Sequence, residues 1–94
     1  MKMIGLPELQ AFKERHADVR SQVDAWRSEV EAAQWNSPHD VTERYPSASI
    51  LSDNQVVFNL KGNKYRLLVK ISYKSKIVFV KKAGTRAEYS RWTL

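Results

Sequence analysis

The stretch Lys64-Tyr65-Arg66-Leu67-Leu68-Val69-Lys70-Ile71-Ser72-Tyr73 decides the fold. Tyr65, Leu67, Val69, Ile71 and Tyr73 take one set of alternate positions, and Arg66, Leu68, Lys70 and Ser72 take the other. Successive side chains of a strand point to opposite faces, so this is a strand with one apolar face and one face that carries cations. Arg66 and Lys70 lie four apart and point the same way, and Lys64 shares their parity. Upstream, Lys61-Gly62-Asn63 reads as a turn with a permissive glycine, and Val56-Val57-Phe58-Asn59-Leu60 is the centre of a strand over residues 55–60. Downstream, Lys74-Ser75-Lys76 is a second tight connection into a strand over residues 77–82. Residues 49–51 add a short fourth strand. Connections this short join antiparallel neighbours, so the expected sheet is an antiparallel meander. Ala83-Gly84 is expected to break the last strand. Thr85-Arg86-Ala87-Glu88 then has the spacing of a capping box, which predicts a short helix or turn from Thr85.

The chain before the strands is helical in pattern. Leu6-Pro7-Glu8-Leu9 opens a helix, with proline where its missing N–H is harmless. The pattern weakens near His16-Ala17. A second helix is predicted over residues 18–34, capped by Asp18, because Val19, Val23, Trp26, Val30 and Ala33 form one amphipathic stripe. Ser37-Pro38 starts a short third helix to about Arg44, and Tyr45-Pro46 ends it. Helices that must cover the apolar side of a small sheet give an α+β fold: two N-terminal helices packed on a small antiparallel β-sheet. Ninety-four residues make one domain, residues 1–94.

Composition narrows the function. The chain has no cysteine, which excludes disulfides, thiolate metal sites and cysteine nucleophiles and fits a reducing cytoplasm. No apolar run approaches the ~20 residues that cross a bilayer. Residues 1–5 are too short before Pro7 to be a secretory signal. The net charge of +6 is divided unevenly: residues 1–54 carry −3, and residues 55–94 carry +9, with Glu88 the only acid among ten cations. Such a field suits a polyanion.

If the polyanion is RNA, lysine and arginine neutralise phosphates while tyrosine and tryptophan stack on unpaired bases. Tyr89 and Trp92, in the basic tail, are the aromatic candidates. Metal-free cleavage needs a base for the ribose 2′-OH, cations on the phosphate and an acid for the leaving oxygen. His16 and His39 both lie in the acidic half and are poor candidates. The base would then have to be a lysine with lowered pKa, which clustered cations favour. No metal site and no cofactor are expected, because Glu88 alone offers a hard cation little and Gly62 and Gly84 stand apart rather than in a phosphate-cradling loop.

Four segments carry a resemblance: Tyr45-Pro46-Ser47-Ala48-Ser49, Val57-Phe58-Asn59, Gly62-Asn63-Lys64-Tyr65-Arg66-Leu67 and Gly84-Thr85-Arg86-Ala87-Glu88-Tyr89. In order and spacing they resemble the HigB toxins, a branch of the RelE-like toxins of bacterial type II toxin–antitoxin pairs. Ala32-Ala33-Gln34-Trp35 and Asp40-Val41 look like that family too. The resemblance implies a RelE-like fold of helices on an antiparallel sheet. It implies ribosome-dependent endoribonuclease action on mRNA in the cytoplasm, with no membrane partner. It also implies neutralisation by a cognate HigA-type antitoxin with a helix-turn-helix domain, so that DNA is met only through the antitoxin complex.

Carried over by position, the resemblance points to Asn63, Arg66, Arg86 and Tyr89. Arg66 would hold the scissile phosphate, Arg86 would clamp it a second time, and Tyr89 would stack on a base or donate a proton. Lys64, Lys70 and Lys82 would orient RNA or supply the base, and Trp92 would bind RNA. Two departures stand out. Many HigB-like sequences have histidine where this chain has Arg86, and arginine cannot exchange a proton under ordinary conditions, though it can grip phosphate bidentately. Other RelE-like toxins are similar in carrying arginine near this turn with a tyrosine after it. The tail after Tyr89 also lacks the Asp-rich ending of the family. An altered or weakened toxin, a non-catalytic basic binding module and a gyrase-inhibiting toxin of the same fold stay open as alternatives.

Overall fold

The computed structural model describes residues 1–93. In chain order it has β1 (Lys2–Ile4), α1 (Leu6–Arg15), a 3-10 turn (Ala17–Val19), α2 (Arg20–Ala32), α3 (Pro38–Arg44), β2 (Ser49–Ile50), β3 (Gln55–Leu60), β4 (Tyr65–Ser72), β5 (Ile77–Thr85) and α4 (Arg86–Tyr89). The strands form one five-stranded sheet in the order β1-β5-β4-β3-β2. The α+β class holds, and β2 to β5 form the expected meander. The sheet as a whole is mixed rather than antiparallel, because β1 pairs parallel to β5 with Met3 opposite Val78. A parallel partner is reached by a long crossover, so no turn signal announces it, and three residues are too few to display alternation. The Met1 amine donates to the carbonyls of Val30, Glu31 and Ala33 at the end of α2, at 3.2, 3.1 and 2.8 Å. The Val30 carbonyl also accepts from the Ala33 N–H at 3.1 Å, and the helix dipole at this end favours a cation.

The alternation of β4 is realised in the packing. Tyr65, Leu67, Val69 and Ile71 join Phe12, Val23, Trp26 and Val30 in the core between sheet and helices. The second helix begins at Arg20, later than the predicted residue 18, and ends at Ala32. Asp18 does not cap it. Asp18 lies in the 3-10 turn, and its carboxylate accepts hydrogen bonds from Lys61, Lys64 and the Tyr65 hydroxyl. A carboxylate offered two ammonium groups gains more from them than from one backbone N–H.

The face of the sheet away from the helices bears Gln55, Val57 and Asn59 from β3 opposite Lys70, Leu68 and Arg66 from β4. Val57 and Leu68 are both 1% exposed, so this face has a small apolar centre of its own. On β5 the register shifts by one residue: Leu68 faces Lys82 while Val69 faces Val80. Lys81 is therefore the extra residue of a β-bulge, which re-aims a side chain. Its ammonium reaches the Gln55 amide oxygen at 3.1 Å, so Lys81 and Lys82 both serve the outer face.

The predicted break at Ala83-Gly84 does not occur, since β5 runs on to Thr85. Gly84 has another use. A Cβ there would sit 2.9 Å from Glu88 Oε1 and 3.2 Å from Trp92 Cζ2, so its hydrogen lets the tail lie against the strand. The capping box at Thr85 forms as expected: Thr85 Oγ1 accepts from the Glu88 N–H at 3.1 Å, and Glu88 Oε1 from the Thr85 N–H at 2.8 Å.

Candidate nucleic-acid interface

Strand parity sends Arg66 to the outer face, and the capping box starts α4 just past its partner strand. The Arg86 N–H donates to the Lys64 carbonyl at 3.0 Å, which seats the first turn of α4 beside the start of β4. The result is an open cavity of about 640 Å³ lined by Arg66, Arg86, Ala87, Tyr89 and Ser90. The Arg66 guanidinium lies 5.5 Å from the Tyr89 ring centroid and donates to the Asn63 carbonyl at 2.9 Å. Both contacts restrict a long side chain before any ligand arrives. Tyr89 meets Trp92 edge to face with centroids 5.5 Å apart, and the Lys82 ammonium lies 5.8 Å from the Trp92 ring. Arg66 and Lys82 thus flank an aromatic pair along one surface. A phosphate can be gripped by two guanidinium groups there while a base lies on an aromatic ring.

Not every candidate lies in this cavity. Asn63 reaches it through its backbone carbonyl, not through its amide. Lys64 turns toward Asp18, at 3.1 Å, and its ammonium lies 5.4 Å from the ring of the core residue Tyr65. The hydrogen bond and charge of Asp18 push the Lys64 pKa up, the opposite of what a general base needs. Lys70 pairs with Asp53 at 3.0 Å and lines a different cleft on the same face. Glu88, held as the carboxylate by the Thr85 N–H, has its pKa lowered and serves α4 as a cap. His16 stacks on the helix side, 5.2 Å from Phe12 and 4.9 Å from Tyr65, and the exposed His39 pairs with Glu43. Sequence reasoning missed Lys81 and Phe79. A bulge leaves no local signal at Lys81, whereas the alternation of Val78, Phe79 and Val80 was the signal that could have found Phe79.

Folding sorts the cations. Carboxylates from the acidic half cross over to Lys61, Lys64 and Lys70. Among the described residues, Arg66, Lys82 and Arg86 have no carboxylate partner, and these are the cations around the Tyr89–Trp92 pair.

The Asp18 cluster makes a prediction of its own. The Lys61 hydrogen bond first, then those of Tyr65 and Lys64, hold the Asp18 carboxyl far below its ordinary value of 3.8. Below that value the unfolded chain takes up a proton that the folded chain refuses, so stability falls as the pH falls. The urea midpoint of the wild type should exceed that of Asp18→Asn above about pH 5, with the gap closing in more acid solution. The gap should also shrink in high salt, because the cluster is exposed. A gap that is flat from neutral pH down to pH 2 would show that the carboxylate contributes nothing through its charge.

Residues 19–92 match the sequence model of the HigB toxin family, described as the RelE-like toxic component of a toxin-antitoxin system. No curated protein matches the chain.

Proposed function

Because the chain belongs to the HigB family of RelE-like toxins, the toxic components of toxin-antitoxin systems, we propose that it is a ribosome-dependent endoribonuclease that cuts mRNA without a metal. The observation that carries this reading is the cavity in which Arg66 and Arg86, free of carboxylate partners among the described residues, meet Tyr89. In the reaction the ribose 2′-oxygen forms a bond to the adjacent phosphorus, and the bond from phosphorus to the 5′-oxygen breaks. The guanidinium groups of Arg66 and Arg86 donate to the phosphoryl oxygens and stabilise the charge that builds on them. Tyr89 stacks on a flanking base or delivers a proton to the departing 5′-oxygen. Glu88 is occupied as a cap and the Lys64 ammonium is held protonated by Asp18. That leaves Lys82, water or a group of the ribosome to take the 2′-OH proton. A ribosome that fixes the message in position supplies the orientation that so sparse a set of side chains cannot.

The neutralising partner in this reading is a HigA-type antitoxin, whose helix-turn-helix domain is the only route by which the complex touches DNA. The site of action is the cytoplasm, where the ribosomes are. No helix of the described residues is long and apolar enough to cross a membrane.

Expression of the chain without an antitoxin tests the proposal. Growth arrest with message cut at discrete codons, mapped by primer extension, supports it. Intact message with normal growth favours a non-catalytic binding module, and intact message with DNA damage favours a gyrase inhibitor. Arg86→His, which restores the residue common in HigB-like sequences, should keep cleavage and add a pH dependence near about 6.5, where a histidine titrates.

A further inference from the structure

The second cleft of the outer face lies at the other end of β4. It has a volume of about 600 Å³ and is lined by Lys70, Ser72, Lys74, Ser75, Ile77 and Phe79, among others. Phe79 is 45% exposed, the most exposed of the large apolar side chains among the described residues. It stands opposite Lys70 on β4 and opposite Ile4, itself 39% exposed, on β1. A phenylalanine that open to water in mid-strand is not there for the core, and β5 buries Val78 and Val80 on either side of it. Arg66, which lines the arginine cavity, and Lys70, which lines this cleft, share one face of β4, so both clefts open on one face of the sheet. Lys81 and Lys82 lie between them.

We infer that the cleft around Phe79 is a stacking site for an unpaired base of single-stranded RNA, four β4 residues, or about 13 Å, from Arg66. The inference rests on the reading of this face as an RNA-cleaving surface and extends it to a nucleotide away from the cut. The chemistry of the cleft favours RNA over an apolar segment of a protein. The flat ring shares the cleft with Lys74, a cation without a carboxylate partner among the described residues, which suits a phosphate beside a stacked base. Ser72, whose Oγ accepts from the Ser75 N–H at 3.3 Å, and Ser75 keep O–H donors for a base edge, which an apolar side chain seated there would leave unpaired. Lys70 is already fixed by Asp53 at 3.0 Å, so the rim is ordered before the strand arrives. Bases beyond the cut would then influence where the message is cut, through stacking strength rather than through hydrogen-bonded readout.

The test is binding of a short fluorescent single-stranded oligoribonucleotide to the full chain at low salt, followed by anisotropy, for wild type, Phe79→Leu and Phe79→Tyr. Leucine keeps the apolar bulk and removes the aromatic face, and neither substitution touches the core. Phe79→Leu should weaken binding about tenfold, Phe79→Tyr should bind as the wild type does, and an abasic oligonucleotide should not distinguish the three. Equal binding by Phe79→Leu, a loss that persists with the abasic strand, or no binding by the wild type overturns the inference. So does a Phe79→Leu variant that holds RNA normally and fails only to bind the antitoxin, which would mark the cleft as a protein-docking site. Cleavage is scored separately on programmed ribosomes. Base-dependent binding at Phe79 with uncut message would sink the nuclease reading and leave the stacking site standing.

Discussion

Arg66→Ala should lower mRNA cleavage on programmed ribosomes by about 10²-fold or more, the loss typical when one charge-stabilising donor is removed. Arg66 is placed by parity on the open face, steadied by the Asn63 carbonyl at 2.9 Å and by the Tyr89 ring at 5.5 Å. Among the described residues no carboxylate competes for its charge. A guanidinium here gains most when negative charge grows on the phosphoryl oxygens, so the loss should fall on the chemical step. Arg66→Lys should recover only part of the rate, because a point charge replaces a planar fork that can donate twice to one phosphate. The measurement is single-turnover cleavage by variants whose circular dichroism matches the wild type. Wild-type rates for Arg66→Ala would remove Arg66 from the site.

Gly5→Ala should produce a larger loss of stability than a methyl group added at either of the other two glycines. Gly5 joins β1 to α1 with φ of 87°, in the left-handed region. Its missing Cβ would lie 2.4 Å from the Val80 carbonyl oxygen, a backbone atom in the middle of the sheet. Left-handed strain costs about 1–2 kcal/mol, and forced overpacking adds about 1–3 kcal/mol. Together they should lower the melting temperature by more than about 10 °C in a chain of this size. Gly62 is the control. It also has positive φ, 66°, but has open space where its Cβ would go, so Gly62→Ala should show the strain alone. Equal losses at the two glycines would show that β5 yields to the methyl group without resistance.

Local periodicity made much of the architecture legible. The ten-residue alternation around β4, the stripe from Val19 to Val30, the Pro38 helix start and the Thr85–Glu88 box each express a short-range rule within one element. The parallel β1 was not legible, because its partner lies more than 70 residues away and its length is three residues. The end of β5 was misjudged because a glycine that admits a neighbour reads, in one dimension, like a glycine that breaks a strand. Asp18 shows the same difficulty in a polar group. By position it is a helix cap, yet two lysines and a tyrosine from beyond residue 60 outbid one N–H for its oxygens.

Sequence alone determined the α+β class, the cationic face of β4 and the concentration of positive charge after residue 55. Those properties follow from side-chain type and near-neighbour spacing, which survive without knowledge of distant contacts. Tertiary structure decided which of the cations stay available. Charge acts through space, and only folding brings Asp18 to Lys61 and Lys64 and Asp53 to Lys70 while leaving Arg66, Lys82 and Arg86 beside Tyr89 and Trp92.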